Sequence, residues 1–135
     1  KNNLYIHELI YKKGMTNRDI AEFIKKIKMD DILLFYDSAE PKSGEELRQM
    51  SIWAKAAVKG QGSINAGISL LKEFVVYVSE ESINVLKEQQ SYIYDELKDG
   101  TIINKPKANQ ADHLLDAIRY AVYSRWKNRN DFFVV

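Results

Sequence analysis

The stretch Ile32-Leu33-Leu34-Phe35-Tyr36-Asp37 is an unbroken apolar and aromatic run closed by an acid. Continuous apolarity over this length suits a strand buried on both faces, as in the centre of a parallel or mixed sheet. The C-terminal ends of such strands are where α/β folds place ligands. Asp37 is therefore either a turn or cap residue or an acid put to use, and its position behind a buried strand keeps both readings open. Pro41 holds the following Ser38-Ala39-Glu40 out of helix.

Upstream, residues 4–11 (LYIHELIY) form a β-rich segment, and a strand this close to the start is expected to follow further sequence. Thr16-Asn17-Arg18-Asp19 has the form of a capping box with Asp in place of Glu or Gln. Ile20, Phe23, Ile24 and Ile27 then recur at helical spacing. Downstream, Ser43-Gly44-Glu45-Glu46 reads as a second capping box, opening a helix carried by Leu47, Met50, Ile52, Trp53 and Ala57 to about Val58. Lys59-Gly60-Gln61-Gly62-Ser63-Ile64 breaks that pattern. It is either a plain helix-to-helix turn or a loop offering backbone N–H groups to an anion, and it lacks the Gly-Lys-Ser/Thr order of a Walker loop.

A short helix over residues 64–71, a strand over 74–78, and a helix over 80–98 follow. Asp99-Gly100 is a turn, Thr101-Ile102-Ile103 a short extended piece, and residues 105–109 a loop. The last helix runs to about Lys127, and the terminal Phe132-Phe133-Val134-Val135 is expected either to dock or to fray. Strands joined through helices favour parallel pairing and right-handed crossovers, so the expected fold is an α/β domain with an open mixed sheet.

A chain of 135 residues can bury one core without metals or cross-links. With 45% hydrophobic and 29% charged residues the composition is globular, and no apolar run approaches the ~20 residues that span a bilayer. The absence of cysteine removes disulfides, thiolate zinc sites and cysteine nucleophiles, and fits an intracellular protein. A net charge of +1 means that any contact with nucleic acid must use local positive charge.

The last helix carries an unusual patch, Asp112-His113-Leu114-Leu115-Asp116. Residues three or four apart share a helix face, so His113 and Asp116 point together and Asp112 lies one turn from Asp116. Like charges at that spacing are mildly unfavourable, so the patch is either a solvated face or half of a site. Metal-dependent phosphodiester cleavage needs hard oxygen ligands from several elements. The available acids are Asp37, Asp116 and Asp112, with His113 beside them and Glu8 as a weaker supplement. No His-Glu-x-x-His zinc signature and no Gly-x-Ser-x-Gly elbow occurs.

Taken in order, Tyr36-Asp37-Ser38-Ala39-Glu40-Pro41-Lys42-Ser43 with Glu46-Leu47-Arg48, Lys59-Gly60-Gln61-Gly62-Ser63-Ile64 with Gly67-Ile68, Glu88 through Tyr92-Ile93-Tyr94, Pro106, and His113-Leu114-Leu115-Asp116-Ala117-Ile118-Arg119-Tyr120 form a series. The series resembles the C-terminal nuclease domain of the large terminase subunit of tailed phages and prophages, over nearly the whole chain. The resemblance implies an RNase H-like fold, here one domain over residues 1–135, binding two Mg²⁺ or Mn²⁺ ions and cutting concatemeric double-stranded DNA during packaging. By position Asp37 matches the family's second catalytic aspartate, Asp116 its last, and His113 the histidine one turn earlier; Asp112 has no secure counterpart. The Gly-x-Asp strand bearing the first aspartate and the ATPase half are not in this sequence, which is expected to be an N-terminally truncated domain. Lys59, Lys105, Lys107, Arg119 and Arg125 are candidate phosphate contacts, with Arg119 equally suited to pairing with a nearby acid. Implied partners are double-stranded DNA, an ATPase domain, a small terminase subunit and a portal, in the cytoplasm of a bacterial host. The alternative is a truncated or degenerate prophage domain that binds DNA or a portal partner without cutting.

Overall fold

The computed structural model describes residues 2–129, in the order β1 (Asn2–Ile6), α1 (Asn17–Lys26), β2 (Leu34–Tyr36), α2 (Pro41–Gln49), β3 (Ala54–Ala56), α3 (Ser63–Leu71), β4 (Phe74–Val78), α4 (Ile83–Ser91), β5 (Tyr94–Glu96), β6 (Ile102–Pro106) and α5 (His113–Lys127). The mixed α/β character expected from the sequence is present. Its strands form three two-stranded ladders, β1–β4 and β2–β3 parallel and β5–β6 antiparallel. The tail at 132–135 lies outside the described residues. Two compact units are present: one comprises the residues up to Tyr11 with Gln61–Arg119, the other Lys12–Gly60 with the residues from Tyr120 onward.

In the unit built on Lys12–Gly60, the capping box at Thr16 forms as read. Thr16 Oγ1 accepts from Asp19 N at 3.1 Å, and Asp19 Oδ2 accepts from Thr16 N at 2.9 Å. Strand β2 pairs with β3 in the register Leu34↔Ala54, Phe35↔Lys55, Tyr36↔Ala56. Buried Ala21, Leu47, Ile52 and Ala54 form the core, with Ile20, Ile24, Leu34, Tyr36 and Met50 packed on it.

The single helix expected from Ser43 to Val58 is corrected. Helix α2 starts at Pro41, whose fixed φ suits a first helical position, so Ser43 lies inside it. It ends at Gln49, and Ser51 turns left-handed at φ 65°. From there Ile52 points in, Trp53 out and Ala54 in, the two-residue alternation of a strand.

Beyond β3, Val58 N–H donates to Ser124 Oγ at 2.8 Å, and Ser124 is completely buried. Ser124→Ala is expected to leave that amide unpaired and lower stability by about 1–3 kcal/mol. A denaturant midpoint unchanged from that of the parent chain would refute the assignment.

In the other unit, β1 pairs with β4 from Asn2↔Phe74 to Ile6↔Val78. The strand expected over 4–11 stops at Ile6 because the next two residues take other partners. His7 Nδ1 lies 2.6 Å from Ser79 Oγ, and Glu8 N–H donates to Ser82 Oγ at 2.8 Å. The Glu8 carboxylate accepts from Asn84 Nδ2 at 2.8 Å and Val85 N at 3.0 Å, at the start of α4. Burial would raise its pKa, but these hydrogen bonds outweigh it and hold the group below the ordinary glutamate value. Glu8 thus caps the start of α4. The outer face of this ladder is open: Tyr5 is 72% exposed, Tyr77 49%, and their rings stack at 5.1 Å.

The helix expected over 80–98 is also shorter, ending at Ser91. Tyr94–Glu96 instead pairs with Ile102–Pro106 as a hairpin across Asp99-Gly100, in place of the loop expected at 105–106. Gln110 ties its base: Nε2 donates to the carbonyls of Ile93 and Lys107 at 2.9 Å each, and Oε1 accepts from Ile93 N at 3.0 Å. Among the described residues no helix is long and apolar enough to cross a membrane.

Candidate functional site

Strand β2 delivers Asp37 at its C-terminal end, as the apolar run led us to expect. Asp37 Oδ1 accepts from Ala39 N at 3.0 Å, closing a tight turn whose backbone bond runs from Glu40 N to Asp37 O at 2.9 Å. The same oxygen accepts from the Lys59 ammonium, which lies 5.0 Å from the centre of the Tyr120 ring. The Asp37 hydrogen bond, and then Tyr120, hold Lys59 above the ordinary lysine range. Lys59, Asp37 and Tyr120 all belong to the unit built on Lys12–Gly60, which makes Lys59 a partner of the acid as well as a phosphate candidate.

The second group of candidates stands on the first turns of α5. Asp116 Oδ1 accepts from Arg119 Nη2 at 3.1 Å; the arginine side chain is 7% exposed and the aspartate side chain 33%. Of the two roles open to Arg119, the pairing with a nearby acid is present. Asp112 precedes the helix and is half-buried, and burial, followed by the Asp116 charge, raises its carboxyl above the ordinary value. His113 is exposed, on the same turn. Tyr92 is raised as well, by burial first and then by Asp116 and Asp112.

Lys105, on β6, and Lys107, just beyond it, are exposed beside the hairpin, and Arg125 is exposed further along α5. In the Lys59–Ser63 loop Gly62 has φ 78° and is the residue before α3, with no side-chain cap. Ser63 lies in the first turn of α3 and is buried.

One residue of the motif series was read from the sequence without a role. Glu88, on α4, is 3% exposed, and its Oε1 accepts from Leu114 N at 2.8 Å and Leu115 N at 3.1 Å. Its Oε2 is buried and has no hydrogen-bond partner among the described residues. The available signal was its place three residues after buried Val85, an acid on the apolar stripe of α4.

The donors Asp37, Asp112 and Asp116 suit a hard divalent cation in kind, being carboxylate oxygens. In number they fall short: among the described residues no group of three or more His, Asp or Glu is gathered to hold a metal ion.

Parallel and antiparallel strand pairs together with five helices make this a mixed α/β domain. Residues 1–124 match the family described as Terminase RNAseH like domain, and the chain belongs to that family. It is 32% identical over 123 residues to the PBSX phage terminase large subunit of Bacillus subtilis (strain 168), covering 90% of this chain and 28% of that protein. It is likewise 32% identical over 127 residues to the terminase large subunit of Bacillus phage SPP1, covering 90% of this chain and 29% of that one. The chain thus spans less than a third of the length of these curated relatives. Its fold matches the crystal structure of the nuclease domain of the bacteriophage SPP1 large terminase with bound Mn, at TM-score 0.79 and 26% identity, over 95% of this chain and 72% of that one.

Proposed function

We propose that this chain is the nuclease part of a DNA-packaging terminase, which cuts concatemeric double-stranded DNA with the help of two Mg²⁺ or Mn²⁺ ions. The observation that carries the reading is the match to a nuclease domain crystallised with Mn, together with Asp37 at the end of β2 and Asp116 on α5. Asp37 and Asp116 are the proposed carboxylate ligands, with Asp112 in support. When bound, such ions activate water and stabilise the leaving oxygen of the phosphodiester.

The protein's own groups do the rest. Asp116 is held by Arg119, which fixes its side chain on the helix. His113, exposed on the same turn, is placed to carry a proton to or from solvent near the acid. Lys59, Lys105 and Lys107 supply phosphate contacts, which need no base readout and suit a chain of net charge +1. The proposed partners are double-stranded DNA, an ATPase domain, a small terminase subunit and a portal.

The test uses the longest reading frame that contains this chain. Incubation with supercoiled plasmid and Mn²⁺ is expected to yield nicked and linear DNA, and EDTA to stop the reaction. Plasmid that is bound yet uncut would refute the nuclease reading and favour a domain that only binds DNA.

A further inference from the structure

The first N–H groups of a helix have no partner within the helix, and an Asp just before it ordinarily accepts from the second and third of them. For α5 that residue is Asp112 and those donors are Leu114 N and Leu115 N. Both donate instead to Glu88, from a different helix and 26 and 27 residues away in sequence. The backbone carbonyl of Asp112 accepts from Asp116 N at 2.8 Å.

We propose that Glu88 is a positioning residue for the nuclease site: it takes over the cap of α5, which fixes the turn bearing His113 and Asp116 and leaves the Asp112 carboxylate clear of the helix end. The inference rests on the nuclease reading above for what Asp116 does, and on the hydrogen bonds alone for how it is held. Glu88 is 3% exposed, and one of its two oxygens has no partner among the described residues. A buried carboxylate with a bare oxygen is a costly way to hold a helix that an adjacent aspartate could cap. Its use here is explained if Asp112 is needed elsewhere. Glu88 itself sits behind a similar device, because Glu8 receives Asn84 Nδ2 and Val85 N at the start of α4. The two caps act in sequence, from the end of β1 to α4 and from α4 to α5.

Three variants, made in the longest reading frame that contains this chain, separate this role from a general loss of structure. In Glu88→Ala, amide exchange at Leu114 and Leu115 is expected to accelerate at least ~10-fold over amides of α3, and Mn²⁺ affinity, read by water-proton relaxation, to fall by about the same factor. Glu88→Gln keeps an oxygen for both amides and is expected to restore exchange and affinity to within ~2-fold of the parent chain. Asp112→Asn is expected to leave exchange at Leu114 and Leu115 unchanged, since Asp112 is not their partner.

Unchanged exchange in Glu88→Ala, faster exchange in Asp112→Asn, or Mn²⁺ affinity in Glu88→Gln as weak as in Glu88→Ala would each overturn the proposal. Should Glu88→Ala fail to fold, Glu88→Gln decides alone: native exchange and affinity support the role, and loss of either refutes it. If the parent reading frame binds no Mn²⁺, the nuclease reading fails, while exchange at the two leucines still reports whether Glu88 holds α5.

Discussion

Replacing Asp116 with asparagine is expected to lower Mn²⁺-dependent DNA cleavage by about 100-fold or more, the scale seen when one preorganised group is removed from a reacting centre. The choice of asparagine follows from the geometry. Asp116 Oδ1 is bonded at 3.1 Å to Arg119, whose side chain is only 7% exposed. Alanine at this position would strip a partner from a buried guanidinium and cost stability of about 1–3 kcal/mol, confusing a lost ligand with a loosened helix. Asparagine keeps an oxygen for Arg119 and removes the negative charge that a hard cation requires. The expected pattern is therefore lost cleavage at a nearly unchanged denaturant midpoint. Undiminished cutting would remove Asp116 from the proposed site, and a large fall in midpoint would show that its charge serves the fold.

The second large effect is expected at Gly44. A Cβ built there would collide with Cζ, Cε1 and the hydroxyl oxygen of Tyr36. Alanine would otherwise favour α2 by about 1 kcal/mol over glycine. Displacing the ring outweighs that gain, because Tyr36 packs on the core of its unit and its hydroxyl receives Arg48 Nη1 at 3.3 Å. The same guanidinium also donates to Ala54 O at 3.3 Å, joining the ring to the partner strand β3. Gly44→Ala is expected to destabilise by a net of roughly 1–2 kcal/mol. Pairing it with Tyr36→Ala should cost less than the sum of the two single changes, since the clash and its object vanish together. Additive losses in denaturant melts would refute the contact. Tyr36 immediately precedes Asp37, so this packing also sets where the acid leaves the strand.

How much of this was legible depended on how local the signal was. The run from Ile32 to Tyr36 could be read as a strand from its apolarity, although β2 covers only Leu34–Tyr36, is half-buried rather than buried on both faces, and lies in a two-stranded ladder; Thr16 to Asp19 could be read because a capping box is complete within four residues. Strand β3 was hidden in a helical pattern: Leu47, Met50, Ala54 and Ala57 recur at helix-like intervals, and only the left-handed Ser51 breaks them. The β5–β6 hairpin was hidden because its register contains an irregularity between Tyr94 and Glu96, which blurs the two-residue alternation. Asp37, Asp112 and Asp116 stood out as acids beside apolar runs. The function of Glu88 did not, because its partners Leu114 and Leu115 lie far along the chain and are backbone groups that no sequence letter marks.

The open β1–β4 ladder has a consequence for colloidal behaviour. Tyr5, Val75, Val76 and Tyr77 are all at least 40% exposed along two parallel strands. Aromatic and β-branched residues on an uncovered ladder are the material of edge-to-edge stacking between molecules. The sequence pI of about 8.0 and the net charge of +1 leave almost no long-range repulsion to oppose it in neutral buffer. Salt would screen what little there is, so solutions of this chain are best kept well away from the isoelectric point.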